Sequence, residues 1–181
     1  MQSKTDLLLK EYEKVIHEPW SNVLSGQERV WFLVYDPAEQ RKISLRFEDF
    51  ETATKKAGKK WQMISFKKCF PLWMANHEYR DDYFADPEYI VDQLEAGFIP
   101  FAIQFFKDEL KQIQQDNETV IAVTDVSSLF GFARLSEILK NCDKDFTGRL
   151  LVFFPGEFEN NQYRLLDARD GWDYLARPLT A

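Results

Sequence analysis

The sequence predicts an α/β fold with a mainly parallel central sheet and helices on both of its faces. Residues 120–124 and 150–154 are continuous apolar runs, which is typical of strands that are covered on both faces. Between them, residues 132–141 have a helical pattern. A strand, a helix and a strand in this length predict one right-handed crossover unit.

The first third of the chain predicts a helix, a strand and a second helix. Residues 3–17 place apolar side chains near helical spacing, with Glu and Lys between them. Residues 29–35 form the first strongly apolar strand. Asp36 then caps a helix that runs to about residue 57, with a break near Ser44.

The middle of the chain predicts an edge strand and further helices. Residues 61–66 alternate between apolar and polar side chains, as expected for a less buried strand. Residues 70–74 start a short helix, and Asp86 caps another from about 88 to 94. A longer helix over 98–115 leads into the crossover unit.

The tail of the chain predicts an antiparallel C-terminal hairpin. Pro155 and Gly156 end the last buried strand, and short strands over 163–166 and 174–178 flank a polar turn. Hairpins of this kind lie at the edge of a sheet.

The length indicates a single domain, and the charge argues against direct binding of nucleic acid. The 181 residues predict one α/β domain over 1–181, with 1–20 as an N-terminal helix and 157–181 as a hairpin extension. The net charge of −7 argues against a non-specific nucleic-acid binder, which needs a basic surface. The N-terminus has no apolar run long enough for a signal peptide or a membrane span.

The cysteines predict neither a disulfide framework nor a zinc site. Cys69 and Cys142 are the two cysteines, and neither belongs to a CxxC pair. Their use suggests a reducing, cytoplasmic setting. Neither a metal nor a cofactor is predicted.

The turn over 124–131 lies where a phosphate-binding loop would lie, but it lacks the residues for one. Its first glycine is missing, and Phe132 stands where the lysine should follow Gly131. The topology is therefore predicted to be P-loop-like with a degenerate loop. We expect Ser127 or Ser128 to cap the next helix, and Gly131 to allow close helix–sheet packing.

Three carboxylates, Asp36, Asp125 and Glu157, each follow a predicted strand. If those strands are neighbours, the acids could converge and hold a hard cation or do acid–base work. This defines one hypothesis, a small metal-dependent hydrolase or a nucleotide-binding protein. Helix capping by Asp36 and turn formation by Asp125 are the structural alternatives.

The tail combines the residue types that are enriched at interface hot spots. We predict a partner-binding surface that contains Glu157, Tyr163, Arg164, Arg169 and Trp172. The alternative is a solvated hairpin whose Trp172 folds back onto the sheet.

Four stretches, residues 29–38, 70–79, 128–139 and 153–166, resemble the BrxB family, a former family of unknown function. Proteins of this family belong to BREX bacteriophage-exclusion systems. The resemblance implies a small, non-catalytic subunit that works with PglZ, a phosphatase-like protein, and with a DNA methyltransferase of the same system. It supplies no catalytic residues. We therefore expect a non-enzymatic subunit that docks a PglZ-like protein.

Overall fold

The computed structural model of the chain describes residues 2–171 and 174–181, including all their side chains except those of 169–171. Within these residues the strands are β1 (Val30–Tyr35), β2 (Lys60–Ser65), β3 (Thr119–Thr124), β4 (Arg149–Glu159), β5 (Gln162–Leu165), β6 (Ala168–Gly171) and β7 (Arg177–Leu179).

The central sheet is parallel and has the strand order β2-β3-β4-β1-β7. β1 pairs with β4 from Val30 opposite Leu150 to Tyr35 opposite Pro155. Every residue of β1 and β3 is buried, because helices cover both faces of these strands. The predicted parallel sheet is thereby confirmed, and so is the lower burial of β2, which lies at the edge of the sheet; its burial does not alternate from residue to residue.

Helices fill the connections between the strands. They are α1 (Lys4–Ile16), α2 (Gln40–Ser44), α3 (Phe47–Lys56), α4 (Cys69–Ala75), α5 (Arg80–Ala85), α6 (Val91–Gln93), α7 (Ile99–Gln112) and α8 (Leu135–Lys140). The predicted break near Ser44 is confirmed, since the chain leaves α2 there and α3 begins at Phe47. Two helices are shorter than predicted, with α7 ending at Gln112 and α8 beginning only at Leu135.

Two apolar clusters lie on opposite faces of the sheet. On one face, α1 and α3 pack over Trp31 and over the other residues of β1, β3 and β4 that point toward these helices. The hydroxyl groups of Tyr12 and Thr54 share a hydrogen bond of 2.6 Å that joins these two helices. On the other face, α4, α7 and α8 pack over Phe32 and its neighbours.

The C-terminal hairpin is confirmed, but other strands form it. β4 does not end at Pro155 and Gly156: it continues to Glu159 and turns back as β5, which pairs with β6. We call the antiparallel unit of 156–159, β5 and β6 the meander. In place of the predicted strand over 174–178, the chain forms β7 over Arg177–Leu179. β7 pairs in parallel with β1 and extends the main sheet.

Candidate interaction surface on the C-terminal strands

The carboxylates after the strands are held by local hydrogen bonds. Asp36 caps the turn that follows β1, and its Oδ1 accepts a hydrogen bond of 2.9 Å from the backbone N–H of Ala38. Asp125 accepts hydrogen bonds from the hydroxyls of Ser65 (2.5 Å) and Thr124 (3.1 Å). Glu157 lies in neither of these turns but on the meander.

These carboxylates do not form a metal site. In the described part of the chain, no group of three or more His, Cys, Asp or Glu side chains could hold a metal ion. The hypothesis that Asp36, Asp125 and Glu157 converge on a cation is therefore wrong. The structural alternatives, capping by Asp36 and turn formation by Asp125, describe the first two acids.

The turn after β3 is built differently from the prediction. Neither Ser127 nor Ser128 caps α8, because the N-cap residue of that helix is Arg134, without a side-chain cap. The Oγ of Ser128 instead lies within hydrogen-bond distance of the carbonyl oxygens of Phe66 (3.0 Å) and Asp125 (2.7 Å). This hydroxyl therefore ties the turn to the end of β2. Gly131 does not serve close packing, since a Cβ there would meet no atom within 4 Å; the residue is needed for its φ of +78°.

Two of the predicted partner-binding residues share one face of the meander. Glu157 is directly opposite Arg164, and the backbone of Arg164 is paired with that of Arg169 across the next pair of strands. Directly opposed residues project from the same face of a sheet, so Glu157 and Arg164 form a row of opposite charges. Glu157 and Arg164 are exposed to solvent. Trp172 lies outside the described residues.

Tyr163 supports this surface from beneath and does not contribute to it. Only 1% of its surface is exposed. Its ring lies 4.5 Å from that of Phe32 and 4.6 Å from that of Phe158, measured between centroids. Its hydroxyl donates a 2.5 Å hydrogen bond to the carbonyl of Ala176, and burial raises the pKa of this hydroxyl. Because β-strand residues alternate, burying Tyr163 is what turns Arg164 outward.

An open groove of about 720 Å³ runs beside the meander. Leu165 and Ala168 of the meander form one wall, and Val91, Leu94 and Glu95 form the opposite wall. Its floor comes from the turn that contains Phe130, Phe132 and Arg134. We call it the meander groove. Sequence reasoning missed it, because its two walls are far apart in the chain.

Comparison with known proteins gives a family match. The family model described as BREX protein BrxB matches residues 87–179, which include the walls of the meander groove, β3, β4 and the meander. No curated protein and no solved structure matches the chain. Among the described helices, none is long and apolar enough to cross a membrane.

Proposed function

The chain belongs to the BrxB family of BREX proteins, and from that membership we propose that it is a non-enzymatic subunit that docks a PglZ-like protein of the same system. Docking takes place on the exposed face of the meander, through Glu157 and Arg164, and the predicted contact residues Arg169 and Trp172 contribute to it. The complex acts in the cytoplasm and also associates with the DNA methyltransferase of the system.

The row of charges across the meander is the observation that supports this proposal. Glu157 and Arg164 are exposed and opposite each other on a face whose reverse side is packed into the core. A surface held in this way loses little conformational freedom on binding, which favours affinity. Arg and Trp are also the residue types that most often dominate binding energy.

The strand-end acids Asp36 and Asp125 favour a structural role over a catalytic one. Asp36 and Asp125 make hydrogen bonds that shape turns. General acid–base chemistry needs a carboxylate that faces a reacting group. The net charge of −7 also favours a protein partner over direct contact with DNA, whose phosphates it would repel.

Co-purification with the PglZ-like protein tests the proposal. Arg164→Glu combined with Trp172→Ala should weaken the complex by at least about tenfold, as measured by pull-down and by titration calorimetry. The matched control is Arg41→Glu, which makes the same charge reversal at an exposed arginine of α2 on another part of the surface. Both variants should keep the circular dichroism spectrum of the wild type.

Two results would contradict the proposal. One is undiminished affinity of the folded double variant. The other is a saturable thermal shift of the isolated chain with Mg²⁺ or Mn²⁺ and a nucleotide, because a ligand that binds the native state stabilises it by mass action.

A further inference from the structure

The net charge of the chain is concentrated in one short segment. Residues 78–95 contain seven acidic side chains and one arginine, so this segment carries −6 of the net −7. All of its acids are exposed: Glu78, Asp81, Asp82, Asp86, Glu88, Asp92 and Glu95. Among the described residues, they form a single ion pair, between Asp81 and Arg80 at 3.5 Å. Among the ion pairs that the structure describes, none neutralises the other six acids.

The same segment exposes large apolar side chains. Phe84 is 70% exposed, Val91 63%, Tyr89 62% and Tyr79 55%. Single exposed apolar residues are common on proteins, but four large ones in one short segment, with acids between them, favour a surface that contacts another molecule. We call these four side chains, together with the acids of the segment, the acidic–aromatic surface.

The acidic–aromatic surface contains a shallow hollow. A cavity of about 470 Å³ opens between α5 and the turn that follows it. It is lined by Tyr79, Tyr83 and Tyr89 and by the acids Asp82, Asp86 and Asp92. A lining that combines tyrosines with carboxylates suits a ligand that is apolar on one side and positively charged on the other.

Buried side chains fix this surface to the core. Tyr83 is 7% exposed, and its ring packs at 4.9 Å against that of His77, which in turn lies 4.8 Å from Trp73. Further along, Leu94 and Phe98 join the cluster beneath α7. The exposed aromatic rings are therefore displayed on a supported backbone, which lowers the entropic cost of binding.

From these observations we infer that the acidic–aromatic surface binds a basic amphipathic helix of a protein partner. The apolar face of such a helix covers Phe84, Tyr89 and Val91, and its lysines or arginines face the surrounding carboxylates. Nucleic acids and anionic membranes carry the same sign of charge as this surface and are repelled. A second copy of the chain that met it face to face would bring −6 against −6.

This inference goes beyond docking at the meander, because it assigns a different surface and a different chemistry. Val91 and Glu95 also line the meander groove, so the acidic–aromatic surface extends to that groove. Substitutions at Phe84 and Tyr89, which do not line the groove, and at Arg164 and Trp172 disable the two docking surfaces separately.

A peptide scan with the full-length chain tests the inference. Overlapping peptides of about 20 residues, tiling the other proteins of the same BREX system, are titrated by fluorescence anisotropy. We expect the peptides that bind to be basic and amphipathic. Phe84→Ser with Tyr89→Ser should weaken their binding at least about tenfold. The matched control is Val23→Ser with Leu45→Ser, which removes apolar side chains that are 93% and 77% exposed elsewhere.

The charge contribution is tested separately. Neutralising Asp82, Asp92 and Glu95 to the corresponding amides should weaken binding several-fold and flatten its dependence on salt, since exposed charges are screened by ions. Neutralising Glu13 and Glu48, which are exposed on α1 and α3, should change neither the affinity for the peptides nor its dependence on salt.

Several outcomes would overturn the inference: no peptide binds, the peptides that bind are acidic or uncharged, or binding persists in the folded Phe84→Ser, Tyr89→Ser variant. Concentration-dependent dimerisation that this variant abolishes would also overturn it, because the occupant would then be a second copy. The Arg164→Glu, Trp172→Ala variant should bind the peptides normally, which separates this test from that of the meander.

Discussion

A single carboxylate, that of Asp6, both starts α1 and joins it to α3. The backbone N–H of Ser3 donates to Asp6 at 3.1 Å, and the backbone N–H of Asp6 donates to the Ser3 hydroxyl at 3.1 Å, which is a capping box. Arg46, which precedes α3, forms an ion pair with the same carboxylate. The hydrogen bond from the Ser3 hydroxyl, followed by that from Arg46, lowers the pKa of Asp6 from 3.8 to about 2.

This lowered pKa predicts a defined pH dependence. A carboxyl group whose pKa falls on folding stabilises the native state above its unfolded value and loses that contribution as the pH drops through its folded value. The difference in stability between wild type and Asp6→Asn should therefore be complete above pH 4 and disappear as the pH falls to about 2. Urea denaturation at several pH values measures it. A difference that stays constant down to pH 2 would contradict the assignment, and Glu13→Gln on the same helix serves as the control.

At the level of elements, the sequence predicted the interior of the sheet better than its edge. Strands β1, β3 and β4 were predictable because a strand covered on both faces needs a continuous apolar run. The extension of β4 was not, because Pro155 and Gly156 usually end a strand. Here Pro155 stands where β4 leaves β1, and pairing with β5 begins at Gly156. The missing N–H of the proline thus falls at the change of partner.

Gly156 is the residue that permits this change of partner. A Cβ at this position would lie 1.9 Å from the carbonyl oxygen of Arg164 on the facing strand. Gly156→Ala should therefore force β4 and β5 apart and destabilise the fold by about 2–4 kcal/mol. Gly131→Ala is the comparison, since strain at its positive φ costs about 1 kcal/mol without any clash.

Denaturant titration of the Gly156→Ala and Gly131→Ala variants measures this difference in stability. Because the row of Glu157 and Arg164 depends on the pairing of β4 with β5, Gly156→Ala should also weaken binding of the PglZ-like protein. Equal stabilities of the two variants would show that the meander tolerates a side chain at Gly156.

The candidate surface was predictable in composition but not in arrangement. The residue types of the tail suggested a contact surface, yet their pattern did not show which side chains face outward. Tyr163 belongs to the core because β5 alternates between the two faces of the meander. β7 joins β1 because of pairing across most of the chain, which no local pattern encodes. The acidic residues of 78–95 can be read from the sequence, but the sequence does not show that the apolar side chains among them are exposed.

For the molecule as a whole, the meander and the main sheet share one core. Tyr163, Leu165 and Tyr174 of the C-terminal part pack in the same cluster as Phe32 of β1 and Phe154 of β4. The rings of Phe32 and Phe154 stack at 4.9 Å, and that of Tyr163 lies within 5.7 Å of both. α1 packs on the opposite face of the sheet, where Tyr12 and its neighbours are buried in the second apolar cluster. These contacts favour the prediction of one domain over 1–181.

Because both apolar clusters pack on the same central sheet, the chain should unfold in one cooperative transition. Far-ultraviolet circular dichroism reports on all helices and strands. Tryptophan fluorescence reports on the five tryptophans together, which include Trp31 on one face of the sheet and Trp73 on the other. The two signals should give the same midpoint in urea. A fluorescence change that precedes the loss of secondary structure would instead indicate that α1 or the meander opens as a separate unit. In that case the meander would present its charges on a mobile support, and part of the binding energy would be spent on ordering it.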